Sequence, residues 1–130
     1  MILHVDMHSE NPIYLQLRQQ IILGIASGQL ERGEAMPSVR RLAADLGINL
    51  HTVNKVYAIL RDEGYLIMDR RRGAVVSHDV PDDAFFAARL TQNLTLLAAE
   101  ARCHGIDDNA FLSLCADAYR HAGQPEQEER

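Results

Sequence analysis

The stretch NLHTVNKVY, residues 49–57, follows a short amphipathic segment and a glycine, and it decides how the chain is interpreted. Four apolar residues in and just after it have the i, i+3, i+4 and i+7 spacing of a helix face that packs inward: Val53, Val56, Tyr57 and Leu60. Asn49 precedes the first turn, where an asparagine side chain commonly caps a helix. The outward face carries side chains that can hydrogen-bond DNA bases or phosphates: His51, Thr52, Asn54 and Lys55.

A second short helix is predicted immediately before this one. Ser38 is a favourable N-cap and Gly47 can end the helix, which leaves a tight turn before Asn49. The face predicted to be buried consists of Val39, Leu42, Ala43 and Leu46. Two helices joined by a turn of three or four residues are typical of a helix-turn-helix, in which the second helix can enter the DNA major groove.

The segment after the second helix is predicted to form a basic β-hairpin. The sequences YLIMD (65–69) and AVVSH (74–78) are typical of short strands, and RRRG (70–73) supplies the turn between them. Residues 37–78 contain seven basic and four acidic side chains, although the whole chain has a formal net charge of −5. Positive charge is therefore concentrated where the helix pair and the hairpin lie.

Further elements are predicted before the helix pair. Residues 2–8 alternate apolar and polar side chains, which predicts a short first strand. Asn11 is expected to cap, and Pro12 to begin, a helix over about 12–27. The buried face of this helix is predicted to contain Tyr14, Leu17, Ile21 and Ile25.

Two more helices are predicted after the hairpin. The first, over about 82–104, is expected to carry acidic residues in its first turn. The second is expected to begin after the cap Asp107, with Ile106 packed on Phe111, and to end near His121. A domain this small cannot cover the apolar stripe of the first helix, so we predict a dimer interface there, made by Phe86, Leu90, Leu94, Leu97 and Ala101. These helices are expected to be too short to enclose an effector pocket of roughly 300 Å³ within one chain.

The composition favours a globular protein and gives no support to an enzyme. The 130 residues are 47% apolar and 24% charged, close to ordinary globular usage. No signal-peptide pattern and no long apolar run is present, which predicts a cytoplasmic protein that does not enter a membrane. Since no nucleophile elbow, P-loop or zinc-protease motif occurs, neither an enzymatic activity nor a cofactor is expected.

A metal site is an alternative interpretation of the C-terminal helices. Cys103, His104, Cys115 and His121 could converge on facing helices, but their spacing matches no standard zinc motif. Ordinary core or surface positions are therefore favoured, and no metal is predicted. His4 and His8 are similarly expected to lie on the solvent face of the first strand.

Residues 12–76 resemble the winged helix-turn-helix domain of GntR-family bacterial transcriptional regulators. The resemblance rests on four motifs in order: PIYLQL (12–17), MPSVRRLAADLG (36–47), NLHTVNKVY, and a wing with EGYL (63–66) and RRGAVV (71–76). Most regulators of this family carry a large ligand-binding domain. The short C-terminal part resembles instead that of the YtrA-like subfamily, in which it serves dimerisation.

The resemblance implies that Arg40, the recognition helix and the wing tip at Arg72 and Gly73 contact DNA. Some relatives carry arginine on the recognition helix where this chain has Leu50 and Asn54, so their operator sequence cannot be transferred. Including the capping residues and the other basic side chains, the set predicted to contact double-stranded DNA is Ser38, Arg40, Arg41, Asn49, His51, Thr52, Asn54, Lys55, Arg70, Arg71, Arg72 and Gly73.

The sequence thus predicts a mainly α fold with a small β wing, divided into a winged helix-turn-helix domain (1–78), a two-helix dimerisation segment (79–122) and a flexible tail (123–130). The predicted function is that of a homodimeric, sequence-specific DNA-binding regulator, a repressor, on a two-fold-symmetric operator. The alternative is a winged-helix adaptor whose acidic C-terminal third binds a basic protein. The operator, the inducing signal or effector, and the regulated genes cannot be inferred from the sequence.

Overall fold

The computed structural model describes residues 3–125, and in that range it contains five helices and one two-stranded antiparallel sheet. The elements in chain order are α1 (Ile13–Ala26), α2 (Val39–Leu46), α3 (Leu50–Asp62), β1 (Leu66–Asp69), β2 (Gly73–Val76), α4 (Ala84–Cys103) and α5 (Asp108–Ala122). This order confirms a mainly α chain with a small β wing. Within the described residues, the chain up to Val80 forms one compact unit and Pro81–Ala122 forms another.

The core of the first unit lies where α1, α2, α3 and the hairpin meet. Each element contributes aliphatic side chains at the spacing that the sequence predicts, and full burial of one such side chain contributes about 1.5 to 3 kcal/mol. The residues with essentially no exposed surface are Leu17, Ile21, Val53, Val56, Leu60, Leu66, Val75 and Val76. This packing leaves one side of α3 free of any role in the core.

The helix pair has the caps that the sequence predicts. Ser38 Oγ accepts a hydrogen bond of 3.1 Å from the Arg41 N–H, and α2 ends at Gly47 with φ of 67°, in the left-handed region that favours glycine. Asn49 Oδ1 accepts a hydrogen bond of 2.8 Å from the His51 N–H and starts α3. Gly47 and the Asn49 cap therefore define the turn between the helices, and the Ser38 cap fixes the start of α2.

The predicted first strand is wrong, because residues 3–8 form no ladder with any strand. Their alternation holds only in part, since Leu3 and Val5 are half-buried but Met7 is 56% exposed. The side-chain amides of Gln16 and Gln20, one turn apart on α1, replace the missing partner strand. Gln20 bonds both the N–H (2.9 Å) and the carbonyl of His4, and Gln16 bonds the N–H (2.9 Å) and the carbonyl (3.0 Å) of Asp6.

The start of α1 also differs from the prediction. Pro12 occupies the N-cap position itself, with ψ of 147°, and its carbonyl accepts hydrogen bonds of 3.1 Å from the N–H groups of Leu15 and Gln16. Asn11 supplies no side-chain cap; its backbone carbonyl instead accepts a hydrogen bond of 2.8 Å from Gln16 Nε2. The glutamine that holds the N-terminal segment therefore also orders the entry into the helix.

The hairpin pairs Leu66 with Val76 at its base and Asp69 with Gly73 at its tip. The segment before α2 extends this sheet on the β2 side, where Ala35 forms an isolated bridge with Val75. Three backbone hydrogen bonds of 2.8 Å join this segment to β2, from Gly33 to Val76, from Met36 to Ala74 and from Val76 to Glu34. The β2 edge of the wing is therefore anchored to the segment before α2.

In the second unit, α4 and α5 each begin at an aspartate cap. Asp83 Oδ1 accepts a hydrogen bond of 2.8 Å from the Phe86 N–H, so the acidic residues precede the first turn of α4 and the prediction that they lie within it is wrong. Asp107 Oδ1 accepts one of 2.8 Å from the Ala110 N–H, as predicted. No residue of either helix is buried within the single chain. Of the predicted tail, residues 126–130 lie outside the described range.

Candidate nucleic-acid interface

The outward face of α3 is the centre of the candidate site. His51, Asn54 and Lys55 are exposed, and Thr52 beside them is half-buried. None of the four belongs to the hydrophobic core. An asparagine amide can form a bidentate pair with adenine, and an ammonium group can bind a guanine edge or a phosphate. The chemistry of this face is thus independent of the packing that holds the helix in place.

Asn49 is both a cap and a surface residue. Its Oδ1 is occupied by the His51 N–H, while the side chain itself is exposed. The amide nitrogen is therefore the part of Asn49 that remains for an external group. A helix N-terminus presents further N–H donors and a partial positive charge, which favours an anion such as phosphate.

Lys55 has a contact that sequence analysis missed. Its Nζ lies 4.2 Å from the centroid of the Tyr14 ring on α1, well within cation–π range. The apolar spacing of α1 correctly placed Tyr14 against the core, where it is half-buried. No local pattern could reveal the contact, because the two residues belong to different helices.

The arginines at the start of α2 have different surroundings. Arg40 is exposed and forms no ion pair within residues 3–125. Arg41 Nε lies 3.8 Å from the Asp45 carboxylate one turn later, with 77% and 63% of the two side chains exposed. An exposed pair of this kind contributes about 0.3 to 0.5 kcal/mol, so it restrains Arg41 only weakly. Ser38 lies at the same helix end with its oxygen engaged in the cap.

The turn of the wing is ordered by Asp69. Its carboxylate accepts hydrogen bonds from the N–H groups of Arg71 (2.8 Å) and Arg72 (3.0 Å). These two bonds lower the pKa of Asp69 below its usual value, because they favour the ionised form. Gly73 follows with φ of 75°. The turn therefore has a defined backbone although it lies at the tip of a hairpin.

The three wing arginines are not equivalent. Arg72 Nη1 donates a hydrogen bond of 3.1 Å to the Gly33 carbonyl, and Arg72 Nη2 lies 3.6 Å from Asp69. Arg70 and Arg71 are exposed, and their guanidinium groups bind no residue of the described chain. Arg72 thus ties the wing tip to the segment before α2, whereas Arg70 and Arg71 point their charge to solvent.

Two polar contacts hold α3 against its neighbours. The Tyr57 hydroxyl bonds the Pro37 carbonyl, and burial raises the Tyr57 pKa to about 12. Arg18 on α1 forms a two-point ion pair with Glu63, with N–O distances of 2.9 and 2.5 Å and about a fifth of each side chain exposed. The hydrogen bond to Glu63 raises the pKa of Arg18 despite partial burial.

The predicted dimer stripe of α4 faces solvent in the single chain. Phe86, Leu90, Leu94 and Leu97 are between 38% and 56% exposed, and Ala101 is half-buried. Isolated exposed leucines are common, but a continuous row of this length indicates an uncovered surface.

An open depression of about 580 Å³ lies at the turn between α4 and α5. This groove is open to solvent, so the prediction that these helices are too short to enclose an effector pocket within one chain stays a prediction. Its lining is Ala98, Ala101, Arg102, Gly105, Ile106, Asp107, Asp108 and Phe111.

The cysteines and histidines of the C-terminal helices do not converge. Cys103 is exposed and Cys115 is half-buried, both as free thiols. Within residues 3–125 no group of three or more His, Cys, Asp or Glu side chains is arranged to hold a metal ion. None of the helices in this range is both long enough and apolar enough to cross a membrane.

A capped helix pair with a polar outward face on its second helix, followed by a basic hairpin, defines a winged helix-turn-helix protein. Residues 11–76 match the family model of the bacterial regulatory proteins of the gntR family. The chain belongs to the GntR family.

Individual relatives agree with this assignment. The chain is 36% identical over 77 residues to the HTH-type transcriptional repressor YtrA of Bacillus subtilis, a match covering 59% of each chain. It is 39% identical to YtrA of Sulfolobus acidocaldarius, a GntR-family transcription factor, with a TM-score of 0.63 over 78% of this chain and 99% of that one. The DNA-binding domain of AraR in complex with operator ORX1 matches 57% of this chain and 98% of that one, at 25% identity and a TM-score of 0.50.

These similarities make the protein a DNA-binding transcriptional regulator of the YtrA-like type. The match spans less than two thirds of the Bacillus repressor. The DNA-reading residues and the assembly of this chain therefore depend on its own structure.

Proposed function

We propose that the protein is a homodimeric repressor that acts in the cytoplasm on a two-fold-symmetric operator, without enzymatic activity. The observation that carries this proposal is the division of α3 into a fully buried apolar side and an exposed polar side beside a basic wing. A helix of this kind is held rigidly while its outer side chains remain free to enter a major groove.

The candidate contacts divide into reading and anchoring groups. Asn54 and His51 carry no ion pair or hydrogen bond that commits their side chains within the described chain, so their polar atoms are available for base edges. Arg40, Arg70 and Arg71 supply exposed charge for phosphates. The remaining members of the proposed surface support these groups or add backbone contacts: Ser38, Arg41, Asn49, Thr52, Lys55, Arg72 and Gly73.

The stripe of α4 supports a dimer because it is self-complementary. In an antiparallel pairing centred on Leu94, Phe86 of one protomer lies opposite Ala101 of its partner, and Leu90 lies opposite Leu97, since the members of each pair are almost equally far from the centre. The large Phe86 ring then meets the small Ala101, and leucine meets leucine elsewhere, which favours close packing. A two-fold axis through Leu94 gives both protomers the same contacts, as a closed dimer requires.

The dimer supplies the symmetry of the proposed operator. Two copies of α3 related by a two-fold axis recognise two half-sites that are inverted repeats. Occupation of such a site near a promoter gives repression. We propose no effector for the groove between α4 and α5. Any ligand that regulates the protein is expected to act through the dimer interface.

The test is DNA binding by the whole chain. A labelled duplex from the region upstream of the chain's own gene is titrated at physiological salt against a scrambled duplex of equal length. We expect retention of the cognate duplex at least 10³-fold tighter than of the scrambled one, as is usual for specific DNA-binding proteins. Equal, weak and strongly salt-dependent binding of both duplexes would overturn the repressor and favour the adaptor.

A further inference from the structure

The contact between Lys55 and Tyr14 joins the outward face of α3 to a helix outside the helix-turn-helix. The Lys55 ammonium nitrogen lies 4.2 Å from the ring centroid, although Lys55 is an exposed residue. An exposed cation–π contact contributes about 0.5 to 1 kcal/mol. That is enough to bias a flexible side chain, although it is too little to hold the fold.

The ring itself is fixed by its surroundings. Tyr14 is half-buried and packs against the core. One turn later on the same side of α1, Arg18 forms its two-point ion pair with Glu63 at the end of α3. Helix α1 thus touches α3 at two places, which sets where the Tyr14 ring lies relative to Lys55.

A lysine side chain has four rotatable bonds, and the loss of their conformational freedom opposes binding. When contacts within the protein already restrain a surface lysine, part of this conformational freedom is lost before the ligand arrives. Binding of the ligand then costs less entropy. Lys55 directly follows Asn54 in α3, and both residues are exposed on the outward side of the helix.

We propose that Tyr14 is a positioning residue for DNA recognition: its ring holds the Lys55 ammonium at one place on the outer surface of α3, so that α1 contributes to affinity through Lys55. This inference rests on the proposed function. It assigns no contact between Tyr14 and DNA.

The test uses the full chain and a duplex that the wild-type protein selects from a randomised pool. Affinities are measured for wild type, Tyr14→Leu, Tyr14→Phe, Lys55→Ala and the double variant Tyr14→Leu/Lys55→Ala. Tyr14→Leu is expected to weaken binding by about two- to fivefold for each recognition helix, the loss that corresponds to the cation–π energy. Tyr14→Phe keeps the ring and is expected to bind as wild type. In the Lys55→Ala background, Tyr14→Leu is expected to have no further effect.

Three results would overturn the inference. Equal losses for Tyr14→Phe and Tyr14→Leu would show that the hydroxyl matters, and an undiminished effect of Tyr14→Leu without Lys55 would show that Tyr14 acts independently. Tighter binding by Tyr14→Leu would show that the ring keeps Lys55 away from DNA. If the wild-type protein selects no sequence from the pool, the proposed function fails, and that result is distinct from these three.

A measurement on the wild-type chain covers the case in which Tyr14→Leu does not fold. The ε-methylene protons of Lys55 should resonate upfield of those of an ordinary lysine, because they lie over an aromatic ring, and Tyr14→Phe should show the same shift. This upfield shift is expected to persist in the complex with the selected duplex. Its loss on DNA binding would contradict a positioning role.

Discussion

The Tyr57 hydroxyl donates a hydrogen bond of 2.8 Å to the Pro37 carbonyl oxygen, and so joins the middle of α3 to the residue just before the cap of α2. The two helices already share a short turn at Gly47. The hydrogen bond joins the two helices a second time, at the start of α2, because Pro37 immediately precedes Ser38. The angle between the helices is therefore set at two points.

Replacement of Tyr57 by phenylalanine should lower the free energy of unfolding by about 1 to 2 kcal/mol at pH 7. The ring and its packing remain, but the Pro37 carbonyl loses its donor in a partly buried place. Urea denaturation followed by circular dichroism measures this difference. Tyr65→Phe is a suitable control, since Tyr65 is a half-buried tyrosine on the same unit. An unchanged midpoint for Tyr57→Phe would show that the hydrogen bond has no net value.

The same variant should show a distinct pH dependence. Burial raises the Tyr57 pKa from 10.0 to about 12, so between these values the unfolded chain loses the proton that the folded chain keeps. The stabilisation is complete below pH 10 and is lost as the pH rises toward 12. The gap between wild type and Tyr57→Phe should therefore narrow over this range by on the order of 1 to 2 kcal/mol. A constant gap would contradict a raised pKa.

Replacement of Leu94 by glutamate should convert the proposed dimer to monomers. In the self-complementary pairing Leu94 meets its own copy, so the variant places two like charges together at the two-fold axis. Gln92→Glu is the matched control, because Gln92 is also exposed on α4 but lies on a different side of the helix. Sedimentation at tens of micromolar distinguishes the states. A monomeric wild type, or a Leu94→Glu variant that is still dimeric, would show that the stripe is not the dimer interface.

Substitution of Asn54 and substitution of the wing arginines Arg70 and Arg71 should weaken DNA binding in different ways. Asn54→Ala should cost about 1 to 3 kcal/mol on the selected operator and little on random DNA, because a base contact is lost. Arg70→Ala with Arg71→Ala should weaken both DNAs alike and reduce the salt slope by roughly one unit per lost phosphate contact. Titrations at several salt concentrations compare the two. If the wing variant loses only the operator while Asn54→Ala weakens both DNAs equally, the wing is the reader.

Asp69→Ala should loosen the wing turn while its three arginines stay in the sequence. The carboxylate holds the N–H groups of Arg71 and Arg72, and these amides should exchange with solvent faster in the variant. Hydrogen exchange by NMR measures this, with Asp62→Ala as control, since Asp62 pairs only with the neighbouring Arg61 side chain. The folded pKa of Asp69 is lowered, so protection in the wild type should be present above the ordinary aspartate pKa and be lost as the pH falls through the folded value. Equal exchange in both variants would exclude Asp69 as the organiser of the turn.

The parts of the fold that the sequence predicts well are those specified by residues close together in the chain. The caps at Ser38, Asn49 and Asp107, and the buried face of α3, depend on spacings of two to seven residues. The basic hairpin follows from local patterns as well, and the family resemblance added the dimer and the regulatory role. The DNA-contacting residues and the dimer interface on α4 remain predictions.

The features that sequence analysis missed join residues far apart in the chain. Gln16 and Gln20 replace a strand partner for residues 3–8, and nothing in the alternation of that segment indicates which group will pair with it. Arg72 looks identical to its two neighbours in RRRG, and only the approach of the Gly33 carbonyl distinguishes it. Such pairings depend on how elements cross, which local spacing does not encode.

The division of labour within Asn49 has an evolutionary consequence. His51, Asn54 and Lys55 have no place in the core, so after gene duplication a daughter copy could change its preferred operator at these positions with little loss of stability. Asn49 lacks that freedom, because its oxygen caps the helix while its amide nitrogen remains for an external group. Aspartate would preserve the cap but remove the N–H donor, and serine would preserve the cap with a shorter hydroxyl in place of the amide nitrogen. Divergence of DNA preference among paralogues should therefore begin at positions 51, 54 and 55 and reach position 49 last.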